Sequence, residues 1–313
     1  MAAEVLGAAG VKVQVYDAMP SPGRKFLLAG IGGLNITHSE AHPQFCTRYS
    51  DKQERLQGML DEFSAEHLRD WVHGLGVETF VGTSGRVFPK EMKAAPLLRA
   101  WLHRLRAHGV SLNVRHRWRG WNSDGELVFA TPKGDVHCKP SATILALGGA
   151  SWSKLGSDGA WVPWLEQEHV KVTPLESANC GFECVWSSYI TEKFSGAPVK
   201  PVVLKMTDVN GNALEKQGEF VLSRTGVEGS LIYAFSKPIR EAIRAKGETT
   251  IKLDLLPGKT EERVRADLGK SRGGHSLPSH LKSKLGVSGV KLALLHEVLG
   301  KVADRKSTRL NSS

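Results

Sequence analysis

Residues 1 to 17 constrain the fold more than any other stretch of the chain. Ala2 to Ala9 are mostly good or tolerated helix residues, and Gly10 follows where a left-handed cap would end a helix. Val11, Val13 and Val15 then alternate with Lys12, Gln14 and Tyr16 until the run stops at Asp17. The pattern thus changes from a helical to a strand period within a few residues. In a dinucleotide-binding βαβ unit this is the crossover helix and second strand, whose terminal acid accepts hydrogen bonds from ribose hydroxyls. Asp17 is the first candidate site residue, with a solvated strand end as the competing reading. The first strand and its G-x-G-x-x-G turn would precede Met1, so the sequence reads as a fragment without its phosphate-cradling loop.

Composition narrows the class. With 313 residues, 41% hydrophobic and 24% charged, the chain is long enough for a sizeable core and two or three structural units. No membrane span or secretory leader is visible, and a cytoplasmic location is expected. The four cysteines, Cys46, Cys138, Cys180 and Cys184, are too scattered for a disulfide framework, and Cys180-x3-Cys184 has no second pair to complete a zinc site. The net charge of +10 is spread over both halves. Only Lys259 to Lys291 is concentrated, and it lacks a nucleic-acid motif, so a solvated helical face is the better reading and no nucleic-acid partner is expected.

Along the chain, residues 50 to 74 have helical spacing, with Leu56, Met59, Leu60 and Phe63 on one face, and a further helix is expected over Pro96 to His108. Alternating runs then predict a small antiparallel meander with turns at Asn122–Gly125 and Lys133–Gly134. The apolar run Ala142 to Leu147 predicts a buried parallel strand that delivers Gly148 and Gly149 at its carboxyl end. Short β segments follow, with Asn210-Gly211 as a hairpin turn, and the pattern becomes helical again beyond Pro257. The polar end, KSTRLNSS, reads as non-native.

Four segments occur in order: GRKFLLAGIGGLNITHSE from Gly23, GRVFPKEMKAAPLLRAWL from Gly85, ILALGGASWSKLGSDGAW from Ile144 and GEFVLSRTGVEGSLIYAFS from Gly218. Together they resemble the bacterial NAD(P)/FAD-dependent oxidoreductase family, also labelled aminoacetone oxidase-like FAD-binding flavoproteins. The resemblance covers almost all of residues 1 to 304. It implies an α/β fold: an incomplete Rossmann-like FAD-binding domain at 1–174, an inserted β-barrel-like domain at 175–256, a small helical unit at 257–304 and a tail at 305–313. Many relatives have an Arg-Cys pair where this chain has Gly33-Leu34, which implies a subgroup with its own substrate.

Within the first segment, Gly23, Gly30, Gly32 and Gly33 allow backbone amides to approach a diphosphate or ring edge, Arg24 and Lys25 offset negative charge, and Asn35 and Thr37 offer hydrogen bonds. With Asp17, Gly148 and Gly149 they form the expected cofactor-binding set, against the plainer reading of a glycine-rich surface loop. Gly156, Ser157, Asp158 and Gly159 read as a second turn facing the pocket, and Asp158 alone reads also as a helix cap near Trp161. Arg86 and Lys93 are candidates for the substrate side, though surface charge is the better account of either one taken alone. Thr225, Gly226 and Gly229 read as a structural turn between strands.

No residue stands out as catalytic acid or base, and the 12 histidines form no triad or metal pattern. That suits a cofactor that carries the chemistry itself. The resemblance implies an FAD-dependent oxidoreductase passing electrons between a small organic substrate and NAD(P)H or oxygen. The alternatives are a flavin-dependent tRNA-modifying protein and an inactive truncated remnant.

Overall fold

The structure, a computed structural model, describes residues 1–29 and 32–310, with the backbone alone at 29 and from 301 onward. Gly30 lies outside the described residues. The chain divides into two compact units, Met1–Leu175 and Glu176–Ser313.

The first unit opens with α1 (Ala2–Ala8), β1 (Gln14–Asp17), α2 (Arg24–Ala29) and β2 (Thr37–His38), followed by helices α3 (His42–Cys46), α4 (Gln53–Glu62) and α5 (Ala65–Gly74). It continues through β3 (Thr79–Val81), β4 (Arg86–Pro89), α6 (Ala94–Ala107) and β5 (Ser111–Val114) to the meander β6 (Arg117–Trp121), β7 (Leu127–Thr131) and β8 (Gly134–Cys138), and then α7 (Val162–Gln167). β1 and β5 pair in parallel, with Gln14 opposite Ser111 and Asp17 opposite Val114. β2, β4 and β3 form a separate antiparallel sheet.

Local chemistry explains the helices. Ser64 caps α5 through a reciprocal pair in which its hydroxyl accepts the His67 amide and the His67 ring accepts the Ser64 amide. α6 carries Arg104 and Arg106 in its last turn, where cations suit the negative end of the helix dipole. Val72, Ala94 and Leu97 from these helices join Leu34 in a core flanked by Phe26, Ile36, Trp71, Leu75 and Val77.

One buried carboxylate ties three helices together. Glu4 on α1 accepts hydrogen bonds from the indole of Trp71 on α5 (3.1 Å), the indole of Trp101 (2.7 Å) and the guanidinium of Arg104 on α6 (2.9 Å). The two indoles meet edge to face with centroids 5.0 Å apart. A charge this buried is tolerable only because each oxygen is hydrogen-bonded.

The meander packs onto β1 through Tyr16, whose ring stacks on Phe129 at 4.2 Å with His116 edge-on. Burial, then a hydrogen bond to Cys138, pushes the Tyr16 hydroxyl up to about 12.

The structure corrects the expected strand at Ala142 to Leu147. That segment is irregular, and Ile144 and Leu145 are 61% and 41% exposed. A strand needs a neighbour for its amides and carbonyls, and no described strand pairs with this run. Its apolar composition alone therefore does not make it one.

The second unit is built on β10 (Pro198–Thr207) and β11 (Ala213–Leu222), joined by a tight turn in which Asp208 accepts the amides of Asn210 and Asn212. With β9 (Phe182–Glu183), β12 (Gly226–Glu228) and β13 (Lys252–Asp254) they form one sheet of order β13-β10-β11-β12-β9. The expected barrel-like closure is not found. The edge strands have 3 and 2 residues and do not pair with each other, so the sheet stays open.

Helices α8 (Ser188–Lys193), α9 (Ser230–Ala234) and α10 (Ser236–Lys246) accompany this sheet, and Phe220, Leu222, Leu204, Ile190 and Ile232 form its core. Gly226 and Gly229 belong to β12 and its exit rather than to a turn between barrel strands. α11 (Glu261–Leu268), α12 (Leu277–Leu285) and α13 (Gly289–Leu310) follow. Lys291 pins α13 by donating to the carbonyls of Pro201 and Leu255. Asp267 on α11 is buried under three cations: Lys270 at 2.7 Å, Arg263 at 3.3 Å and Lys259 at 3.6 Å. Among the described residues, no helix is long and apolar enough to cross a membrane.

Two stability predictions follow from these carboxylates. Glu4→Ala strands two indole donors and a guanidinium, and urea unfolding should show a loss of about 2–4 kcal/mol; a loss under about 0.5 kcal/mol would contradict the tie. At Asp267, the Lys270 hydrogen bond, reinforced by Arg263 and Lys259 against the opposing effect of burial, holds the carboxyl below its usual range. Its stabilisation is therefore present above the unfolded value of about 4 and is lost as pH falls through the lower folded value. Melting temperature should drop in that acidic window for the native chain, and Asp267→Asn should flatten the drop.

Candidate functional site

The candidate site lies at the carboxyl ends of β1 and β5, where parallel strands open onto their loops. Beyond β1 the chain turns at once, because Asp17 Oδ1 accepts the Met19 amide at 2.8 Å. The two exits stay together through the His116 amide on the Asp17 carbonyl (2.9 Å) and the Arg115 amide on the Met19 carbonyl (3.0 Å).

Against Met19 sits a closed loop. Trp152 and Ser157 exchange backbone hydrogen bonds at 2.9 and 3.1 Å, enclosing the short turn Ser153–Leu155. A Cβ added at Gly156 would lie 2.8 Å from the Met19 side chain, and the backbone there is left-handed at φ +84°, so only glycine fits without strain. The Gly159 amide reaches the Gly149 carbonyl at 3.2 Å, linking the loop's far end to the glycine pair. Lys25 Nζ on α2 donates to Ser151 Oγ at 2.5 Å across 126 positions of sequence, which joins the first glycine-rich segment to this loop.

Arg117 on β6 pairs with Asp158 Oδ2 at 2.8 Å, while Asp158 Oδ1 accepts the Ala160 amide at 3.1 Å. Burial raises the Asp158 carboxyl, but the Ala160 amide and Arg117 outweigh it and hold it below the usual range. Asp158 thus caps the turn before α7, and Arg117 keeps its charge compensated.

The glycines divide into two kinds. Gly23 and Gly33 serve close packing: an added Cβ would lie 2.8 Å from Leu98 in the first case and 2.5 Å from Met92 in the second. Gly32, Gly148 and Gly149 have nothing within 4 Å of that position, so their backbone is open to a ligand. A shallow surface depression of about 470 Å³ follows the glycine pair, lined by Ala150, Ser151, Trp152, Ser153 and Lys154. A second depression of about 560 Å³, at Ser50, Asp51, Gln53, Glu54 and Gln57, touches none of the motif residues and has less claim to chemistry.

The structure therefore brings Asp17, Lys25, Gly148 and Gly149 to one end of the parallel pair. Arg24 heads α2 beside Lys25. Asn35 is exposed next to β2, and Thr37 lies in β2 opposite Val87. Arg86 faces His38 across β4 and β2, and Lys93 precedes α6 without capping it. Sequence reasoning missed Arg117, Ser151 and Trp152. Two of these lay inside the third quoted segment, where a polar or aromatic residue between glycines was the available signal. Arg117 gave none.

The site fits an anionic dinucleotide. Open glycine backbone in the loop beside Met19 admits phosphates or a ring edge, Lys25 supplies a cation, and Ser157 Oγ is buried without a hydrogen-bond partner. Among the described residues, no group of three or more His, Cys, Asp or Glu side chains could hold a metal ion.

A parallel strand pair whose exit loops meet at the carboxyl ends is an arrangement found in Rossmann-type domains. The chain belongs to the HI0933-like family, whose Rossmann-domain model matches residues 1–301. That family is one of FAD-binding, oxidoreductase-like proteins. A search of curated proteins finds no match to the chain.

Proposed function

We propose that the protein is an FAD-dependent oxidoreductase of the aminoacetone oxidase-like kind, acting between a small organic substrate and NAD(P)H or oxygen. The observation that carries this reading is the bond from Lys25 to Ser151, which draws the first glycine-rich segment to the open Gly148–Gly149 backbone. When bound, FAD supplies the hydride and electron transfer.

The chain's own residues bind and orient. Gly148 and Gly149 leave room for close approach, and Lys25 and Arg24 offset the charge of a diphosphate. Asp17 keeps one carboxylate oxygen on the Met19 amide, and its remaining lone pairs are available to ribose hydroxyls. Arg117 holds Asp158, and with it the turn beyond the glycine pair.

The purified protein, mixed with FAD and freed of excess by gel filtration, should retain the visible absorbance of an oxidised flavin. Bleaching by NADH or NADPH without oxygen would identify the electron donor. Gly148→Val, which places a branched side chain at φ +72° and blocks the approach, should lower flavin occupancy at least about ten-fold. Full retention of flavin by Gly148→Val would contradict the assignment of this loop.

A further inference from the structure

The molecule carries several tryptophans near this site, and one differs from the rest. Trp118 and Trp121 meet edge to face with centroids 4.9 Å apart, and Trp164 covers Gly120. Trp152 makes no ring contact among the described residues and is 49% exposed. A tryptophan ring offers a large apolar face with one polar edge, the kind of surface that contact sites use.

Its placement is fixed rather than frayed. The loop closes on Ser157 through both backbone hydrogen bonds, and Gly156 wedges that loop against Met19. Trp152 thus stands on a preorganised turn that lines the shallow depression together with Ser151, which holds Lys25, and Lys154. A planar π-face beside a hydrogen-bonded lysine is suited to an aromatic heterocycle that carries phosphate.

We infer that Trp152 is a stacking platform for an aromatic ring of a phosphorylated ligand, with Lys25 and Ser151 anchoring the polar part. The inference rests on the flavin reading and deepens it, since FAD offers two such rings, the isoalloxazine and the adenine. Stacking on a preformed, solvent-facing ring loses little conformational freedom, so the contact contributes fully to affinity.

Equilibrium dissociation constants for FAD, FMN and ADP, measured by ultrafiltration on the native chain, Trp152→Ala, Trp152→Leu and Trp152→Phe, test this. Trp152→Ala and Trp152→Leu should both weaken FAD binding by about ten-fold or more, because leucine keeps apolar bulk without a π-face, whereas Trp152→Phe should stay within about three-fold. A matching loss for FMN identifies the isoalloxazine as the stacked ring, and a matching loss for ADP identifies the adenine. Raising salt should weaken the native chain and Trp152→Ala by the same factor, since the cations remain. If the native chain binds FAD and both Trp152→Ala and Trp152→Leu bind it equally well, the stacking role is overturned while the flavin reading stands. If the native chain binds none of the three ligands, both fall.

Discussion

A carboxylate removed from water must be surrounded by donors, and in the first unit that requirement organises the helices. Glu4 collects two indoles and a guanidinium from α5 and α6, so α1 has one low-energy seat. Since α1 leads into β1 and α6 leads into β5, that seat also sets where the two parallel strands meet. The apolar cluster of Leu34, Val72, Ala94 and Leu97 supplies the non-directional part of the stability. The hydrogen-bonded carboxylate selects one arrangement among those that would bury similar area.

From that pairing the ligand-facing end follows. The exits of β1 and β5 are held together by backbone hydrogen bonds, and Met19 gives the loop at 152–157 a surface to lie on. The loop brings Ser151 to Lys25 and leaves the glycine pair uncovered. Positive charge and open backbone then coincide at one place, a combination that favours anions without any single strong contact. Arg117 and Asp158 support it from the meander through a partly exposed ion pair, whose worth lies in position more than in energy.

What the sequence disclosed depended on how local its cause was. The hairpin at Asn210–Gly211 was legible because Asp208 and the turn residues act within a few positions. The helices α5 and α6 were legible because their apolar faces repeat at helical spacing. The run from Ala142 to Leu147 misled, since its composition suits a central strand while strand formation requires an adjacent edge. Closure of the sheet in the second unit was equally hidden, because alternation of side chains is the same in a barrel and an open sheet. Gly23 and Gly33 looked like their open counterparts until Leu98 and Met92 were seen against them. Lys25 was visible as a charge, but its partner Ser151 stands 126 positions away, beyond any local pattern.

The central claim is that a flavin dinucleotide is held at the carboxyl ends of β1 and β5 by the loop that carries Gly148, Gly149 and Trp152. Amide hydrogen exchange on the protein with and without FAD tests it most directly, because ligand binding slows exchange where backbone is ordered or covered. The account predicts slowed exchange over residues 17–25 and 148–159, with β10 and β11 unchanged. Slowing confined to residues 176–300, or none anywhere when FAD is saturating, would contradict it.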